Sequence, residues 1–247
     1  MQHYFLDQRI APKDIINLPS DISHHLARVL RATINDRIEL VGNDHHVFRA
    51  KLIEVENHSV TAQIEAALNV NVELPVNVTI VSGLSKKNKP EWVVQKATEL
   101  GANQIIFMPM AWSVVNWGQK YQKKIHHLNE VALSAAEQSH RNVIPQVHYF
   151  NDLAQLLAEP FDAKVVAYEE SAKVGEQSRL VASLSQLTAH QSLVGIFGPE
   201  GGISPEEIQQ LTNHGFISVG LGPRIMRTET APLYFLSAVS MMTELIH

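Results

Sequence analysis

Two glycine-bearing loops constrain this chain more than any other feature. Gly198-Pro199-Glu200-Gly201-Gly202 follows the apolar run Leu193 to Phe197, and Leu221-Gly222-Pro223-Arg224 follows the run from Ile217. Both lead toward a helical pattern. Strand, glycine loop and helix in that order build α/β sheets, because glycine takes positive φ and lets the backbone approach a ligand beyond a strand's carboxyl end. Together the loops describe a cleft lined mainly by main chain. Ser204-Pro205-Glu206-Glu207 reads as a capping box with proline at the first helical position, so a helix N-terminus lies just past the first loop. After the second loop, Met226-Arg227-Thr228-Glu229-Thr230-Ala231-Pro232 sets an arginine and a carboxylate at the entrance of the last, largely apolar helix.

The 247 residues divide into two regions of different pattern. Up to about residue 70, short strands dominate: His45 to Val55 and Ser59 to Glu65 alternate or are β-branched, with Glu56-Asn57-His58 as the turn. One helix is predicted from Ser20 or Asp21 to Leu30, burying Ile22, Leu26, Val29 and Leu30 and showing His24, Arg28 and Arg31 outward. This is a small β-rich barrel with a helical insertion. Asn69 to Pro75 is a linker, so the expected domains are 1–72 and 73–247. From Val76 strands alternate with helices, the signature of a mostly parallel sheet. Strands are predicted at Val76 to Ser82, Gln104 to Met108, Ala163 to Tyr168, Leu193 to Phe197 and Ile217 to Leu221, with helices over Pro90 to Leu100, Tyr121 to Ser139 and the C-terminal segment.

Composition removes several function classes. The chain has no cysteine, which excludes disulfides, thiolate zinc sites and a cysteine nucleophile, and suits a reducing cytoplasm. No apolar run approaches the roughly 20 residues of a membrane span, and the N-terminus lacks a signal-peptide pattern; a soluble cytoplasmic protein is expected. No phosphate-binding P-loop or dinucleotide fingerprint occurs, and Glu200 inside the first loop would repel a phosphate. A neutral or cationic ligand fits that loop better. No nucleophile elbow is present. The 13 histidines invite a metal, but His24-His25, His45-His46 and His126-His127 are adjacent pairs whose rings diverge, so no metal site is expected. The net charge of −5 argues against tight, sequence-independent binding to nucleic acid. Local basic groups still gather where strands and helices end: Lys86, Lys87 and Lys89, then Arg141-Asn142, then Arg224 and Arg227. They form a candidate basic rim around the pocket, which Arg28 and Arg31 in the N-terminal region extend; Arg28, Arg31, Lys86, Lys87, Lys89, Arg141 and Asn142 are the candidates for contact with a nucleic acid.

The paired loops, with Ile203-Ser204 after the first and Ile225 to Ala231 after the second, resemble the signature of the RsmE-type 16S ribosomal RNA uridine-N3 methyltransferases of the SPOUT superfamily. Val93 to Gly101, Ala136 to Asn142 and His25 to Arg31 are similar to three further segments of that family, and the likeness runs from about residue 20 to the C-terminus. It implies a PUA-like β-barrel followed by an α/β domain whose end is threaded into a trefoil knot, S-adenosylmethionine as methyl donor, 16S ribosomal RNA in the small subunit as substrate, and a homodimer. Carried over by position, the cofactor pocket uses Ala167, Tyr168 and Glu169, then Gly198, Pro199, Glu200, Gly201 and Gly202, then Leu221, Gly222, Ile225, Met226 and Arg227. Two departures stand out. Ala111-Trp112-Ser113 replaces a frequent Ser-Glu-Arg, and His140 replaces a frequent glycine.

Methyl transfer to N3 of uracil requires loss of the N3 proton, and the resulting charge spreads onto the flanking carbonyl oxygens. Glu229 is the candidate base or proton-orienting group, and Arg227 the candidate for stabilising that charge or holding a phosphate. Glu229 alternatively completes the N-terminus of the last helix. Because N3 takes part in base pairing, the uridine must be unpaired or extruded. A sister activity on a ribose 2′-hydroxyl, or a non-catalytic RNA-binding role, is the alternative.

Overall fold

The computed structural model describes residues 1–169 and 178–246. They form two compact units, Met1–Val72 with Glu137–Val143, and Glu73–Ala136 with Ile144–His247.

In the first unit, strands β1 (Gln2–Phe5), β2 (Ile15–Asn17), β3 (Arg37–Val41), β4 (Val47–Val55) and β5 (Val60–Leu68) make a sheet of order β1-β3-β4-β5-β2. The pairings are antiparallel except β1 with β3, which run parallel. Tyr4, Ile38, Leu40, Leu52 and Ile64 supply its core, closed by Ile22 and Leu26 from the helical segment. That segment is the short helix α1 (Ser20–His24) continued by a π-helical turn, His25–Val29, whose wide winding is visible in Leu30 N–H donating to the His25 carbonyl. The π turn corrects one expectation. A regular helix would have brought Val29 and Leu30 to the core face, but five residues per hydrogen-bonded turn rotate them off it, and they are 61% and 40% exposed.

The second unit holds β6 (Asn77–Gly83), α2 (Lys89–Glu99), β7 (Gln104–Met108), the start of α3 (Tyr121–Gln138), β8 (Gln146–Tyr149), α4 (Leu153–Ala158), β9 (Ala163–Ala167), α5 (Ser178–Ser185), β10 (Ser192–Phe197), α6 (Pro205–Asn213), β11 (Ile217–Val219) and α7 (Ala231–Ser240). Its six strands are all parallel, in the order β11-β9-β10-β6-β7-β8. Both faces are buried, so each inner strand reads as a continuous apolar run. Leu193 and Phe197 of β10 face one core together with Val93 and Val94 of α2 and Phe235 and Leu236 of α7. Val194 and Ile196, pointing the other way, meet Leu156 of α4 and Leu211 of α6. Alternation along one strand therefore fixes which helices cover which face. No helix among the described residues is long and apolar enough to cross a membrane.

Candidate active site

Strand order reverses between β6 and β10: β7 and β8 continue on one side of β6, while β9 and β11 lie beyond β10. In an open parallel sheet a crevice forms at the carboxyl ends on either side of such a reversal. The first glycine loop follows β10, at that reversal, and the second follows the edge strand β11, two strands away. The close approach begins at Gly83, the last residue of β6, where an added Cβ would stand 2.5 Å from Pro199 N and Cδ. An added Cβ at Gly198 would likewise meet the Gly202 carbonyl carbon at 2.9 Å. The first loop is thus folded tightly on itself and against β6, and only hydrogen fits at these positions.

Its exit is held by the capping box. Ser204 Oγ accepts from Glu207 N–H at 3.2 Å, and Ser204 N–H donates to Glu207 Oε2 at 3.0 Å. The second carboxylate oxygen of Glu207 accepts from Ala111 N–H at 2.8 Å, tying the segment after β7 to the start of α6. That tie seats Trp112 over the glycines: a Cβ on Gly201 would fall 2.8 Å from the Trp112 carbonyl oxygen.

The loops enclose a cavity of about 600 Å³, within the range of small-molecule sites. Three strand ends build it. Ala167, Tyr168 and Glu169 come from the end of β9, Gly198, Pro199, Glu200 and Gly202 from the first loop, and Leu221, Gly222, Ile225, Met226 and Arg227 from the second. Phe197, Ile203, Pro205, Pro223, Arg224, Thr228 and Ala231 complete the wall with Lys89 and Trp112. Gly201 and Glu229 are not among its lining residues.

Charge inside the site is organised by Lys89, at the start of α2. Its Nζ lies 3.0 Å from Glu200 Oε1 and 3.2 Å from Glu229 Oε2. The hydrogen bond to Glu200 is the main reason its ammonium is held above the usual lysine range. Burial pushes the Glu200 carboxyl up, but Lys89 and the Lys86 N–H, which donates to Oε1 at 3.2 Å, outweigh it and hold the group below the ordinary range. Glu229 Oε2 is buried and makes no aligned hydrogen bond, so its contact with Lys89 is an ion pair without hydrogen-bond geometry. Arg227 extends outward, its side chain 83% exposed and its nearest guanidinium nitrogen 3.9 Å from Glu229 Oε1.

The basic residues expected to meet RNA separate into three groups. Lys86 and Lys87 are exposed beside the first loop, and Arg28 and Arg31 are exposed in the first unit. Lys89 belongs to the cavity. Arg141 and Asn142 correct the expectation, being 2% and 6% exposed. Asn142 Nδ2 donates to the Val70 and His45 carbonyls, and its Oδ1 accepts from Val72 N–H, all within the first unit. A side chain so engaged holds loops together and is closed to a nucleic acid. Sequence reading passed over Trp112 as a cavity residue; the only signal was its place in a segment that departs from the family's usual charged pair.

Comparisons with known proteins agree with this geometry. A family model described as an RNA methyltransferase domain matches residues 72–240, and one described as an RNA methyltransferase PUA domain matches residues 18–65. A Bacillus subtilis protein named ribosomal RNA small subunit methyltransferase E is 42% identical, covering 100% of this chain and 98% of its own. A protein of the same name from Mycobacterium bovis is 30% identical over 90% of this chain and 85% of its own. The crystal structure of the Neisseria gonorrhoeae protein of that name, bound to S-adenosyl methionine, superposes with a TM-score of 0.86 at 28% identity, covering 98% of each chain. With both regions matched and a full-length relative at this identity, the chain belongs to the RNA methyltransferase family, among the small-subunit ribosomal RNA methyltransferase E proteins.

Proposed function

We propose that this protein transfers a methyl group from S-adenosylmethionine to N3 of one uridine of 16S ribosomal RNA, the position numbered 1498, in the assembled small subunit. The observation that carries the reading is the cavity walled by two glycine loops at the carboxyl ends of β9, β10 and β11, in a chain 42% identical to a named small-subunit ribosomal RNA methyltransferase. Residues 1–72 act as the RNA-binding barrel and 73–247 as the methyltransferase domain, with the C-terminal trefoil knot, the homodimer and the cytoplasmic location that the family resemblance implies.

The residues present fit the donor. Main chain of both loops offers peptide groups at close range, Phe197, Leu221 and Met226 offer apolar surface for a flat base, and the Glu200 and Glu169 carboxylates suit a cationic ligand. When bound, the donor supplies an electrophilic methyl group. The protein's part is to position the uracil and to carry the negative charge that appears when N3 loses its proton. Lys89 is the wall residue suited to that task. Glu200 and Glu229, on either side of its ammonium, aim it and keep it protonated. Glu229 therefore acts as a positioning residue: it does not line the cavity, and its carboxylate faces Lys89. Arg227 at the mouth holds a phosphate or a carbonyl oxygen of the extruded nucleotide, and the N3 proton leaves to water.

The deciding experiment supplies labelled S-adenosylmethionine and the enzyme to small subunits lacking the modification and to naked 16S RNA, then identifies the product nucleoside. N3-methyluridine from the assembled subunit is expected. A ribose-methylated nucleoside, or donor binding with no transfer to either substrate, would overturn the assignment.

A further inference from the structure

We propose that His3, Glu39 and His140 form a binding site for one divalent transition-metal ion of the zinc class, independent of the methyl-transfer cavity. The ligands would be the Nδ1 atoms of both histidines and Oε2 of Glu39, with a fourth position open to solvent.

All three residues lie in the first unit. Parallel pairing of β1 with β3 sets His3 directly beside Glu39. His140 arrives from the segment after α3. Glu39 Oε2 is 3.1 Å from His3 Nδ1 and 2.8 Å from His140 Nδ1, and the three potential ligand atoms lie within 4.8 Å of one another. Zinc binds imidazole nitrogen and carboxylate oxygen at roughly 2.0–2.2 Å in tetrahedral sites, which separates neighbouring ligand atoms by about 3.3 Å. An ion would need the two contacts to Glu39 to open by a few tenths of an ångström, and the two histidine nitrogens, within 4.8 Å of each other, to draw in toward the same spacing.

Two further observations point to a ligand. First, His3 Nε2 sits 2.9 Å from the Arg141 carbonyl oxygen, which can only accept, so Nε2 carries the hydrogen. In the neutral ring the Nδ1 lone pair then faces a carboxylate oxygen, lone pair to lone pair. A proton or a metal ion must stand between them. A backbone carbonyl taking the far ring hydrogen is also the usual support of a metal-bound histidine. Second, His140 holds φ +56, a left-handed backbone that costs a non-glycine residue energy unless the surroundings require it. The family's frequent glycine would take that conformation freely, yet here a histidine occupies it with its Nδ1 against Glu39. His3 is 3% exposed, whereas the His140 side chain is 42% exposed, which leaves room for water or another oxygen as the fourth ligand. The ion would bind the first strand to the segment after α3.

The test uses the full-length, tag-free chain, stripped by chelation and dialysed, then titrated with Zn²⁺ by calorimetry and with Co²⁺ by visible absorption. One equivalent is expected, with tetrahedral cobalt bands and a Tm raised by several degrees at saturation. His140→Gly, which keeps the backbone conformation, and Glu39→Gln should each weaken binding by at least about 100-fold. His126→Ala with His127→Ala, at an exposed histidine and glutamate cluster on α3, should leave it unchanged. If the wild-type chain shows no saturable binding below about 100 µM ion, or His140→Gly binds as well as wild type, the cluster is only a hydrogen-bonded triad and the proposal fails.

Discussion

Lys89 joins the two acidic groups that matter most to the proposed chemistry. If its role is to present a positive charge held by Glu229, the two side chains act as a unit and their removal is not additive. Lys89→Met and Glu229→Gln should each lower kcat by roughly 10- to 100-fold while changing donor affinity much less. The double variant should be little worse than either single one. Full additivity, or a loss confined to donor affinity, would return Glu229 to its alternative role at the start of α7. In that role its carboxylate would oppose the helix macrodipole rather than cap it by hydrogen bonds, since the Thr230 and Ala231 N–H groups both donate to the Arg227 carbonyl. Sequence alone named Glu229 and Arg227 but placed Lys89 among the RNA-facing cations, because the partner that draws it inward, Glu200, is 111 positions away. The grouping of His3, Glu39 and His140 escaped notice for the same physical reason. Their separations of 36 and 101 positions leave no spacing to recognise, and only strand pairing brings them together.

At the scale of elements, the loop after β10 depends on a contact with a strand far away in sequence. Gly83 ends β6 with Pro199 packed where its side chain would be. Gly83→Ala should push the first glycine loop outward, weakening S-adenosylmethionine binding by about tenfold or more and lowering Tm by several degrees. Titration calorimetry and thermal melts read both, and an unchanged donor Kd would mean that the loop yields without moving the cavity wall. Most strands and helices of the second unit were legible because each follows a local rule, whereas β8, α4 and α5, of four to eight residues, were passed over. Buried parallel strands are continuous apolar runs, and the capping box at Ser204 names its helix start without reference to anything distant. The first unit was less legible. Strands β1, β2 and β3 are short, of three to five residues, and give too few alternations to establish a period. The π turn at His25–Val29 carried no local signal at all, and it reversed the exposure expected for Val29 and Leu30. Strand order, and with it the place where the cavity opens, is a property of long-range pairing that hydrophobic periodicity does not encode.

For the molecule as a whole, the balance of acidic and basic groups sets how stability responds to pH, and one carboxyl stands apart. Burial, with the nearby Asp21 charge, raises the Glu137 carboxyl from its ordinary 4.5 to about 7. Both groups belong to the first unit, as does Tyr4, whose phenol burial and the Glu137 charge push up to about 12. An acid with a raised folded pKa keeps its proton in the native state after the unfolded chain has released it. Stability is therefore greatest below pH 4.5 on this account and declines as pH rises toward 7, where the native carboxyl also ionises. Glu137 is only partly buried, so solvent screening reduces the effect to roughly 1–2 kcal/mol. Glu137→Gln removes the ionisation while keeping the shape. Its melting temperature should match wild type near pH 4.5, then exceed it by several degrees at pH 8. Other titrating groups bend both curves alike, so the difference between variant and wild type isolates this one carboxyl. A difference that stays flat from pH 4.5 to 8 would show that the Glu137 carboxylate is as well solvated in the folded chain as in the unfolded one.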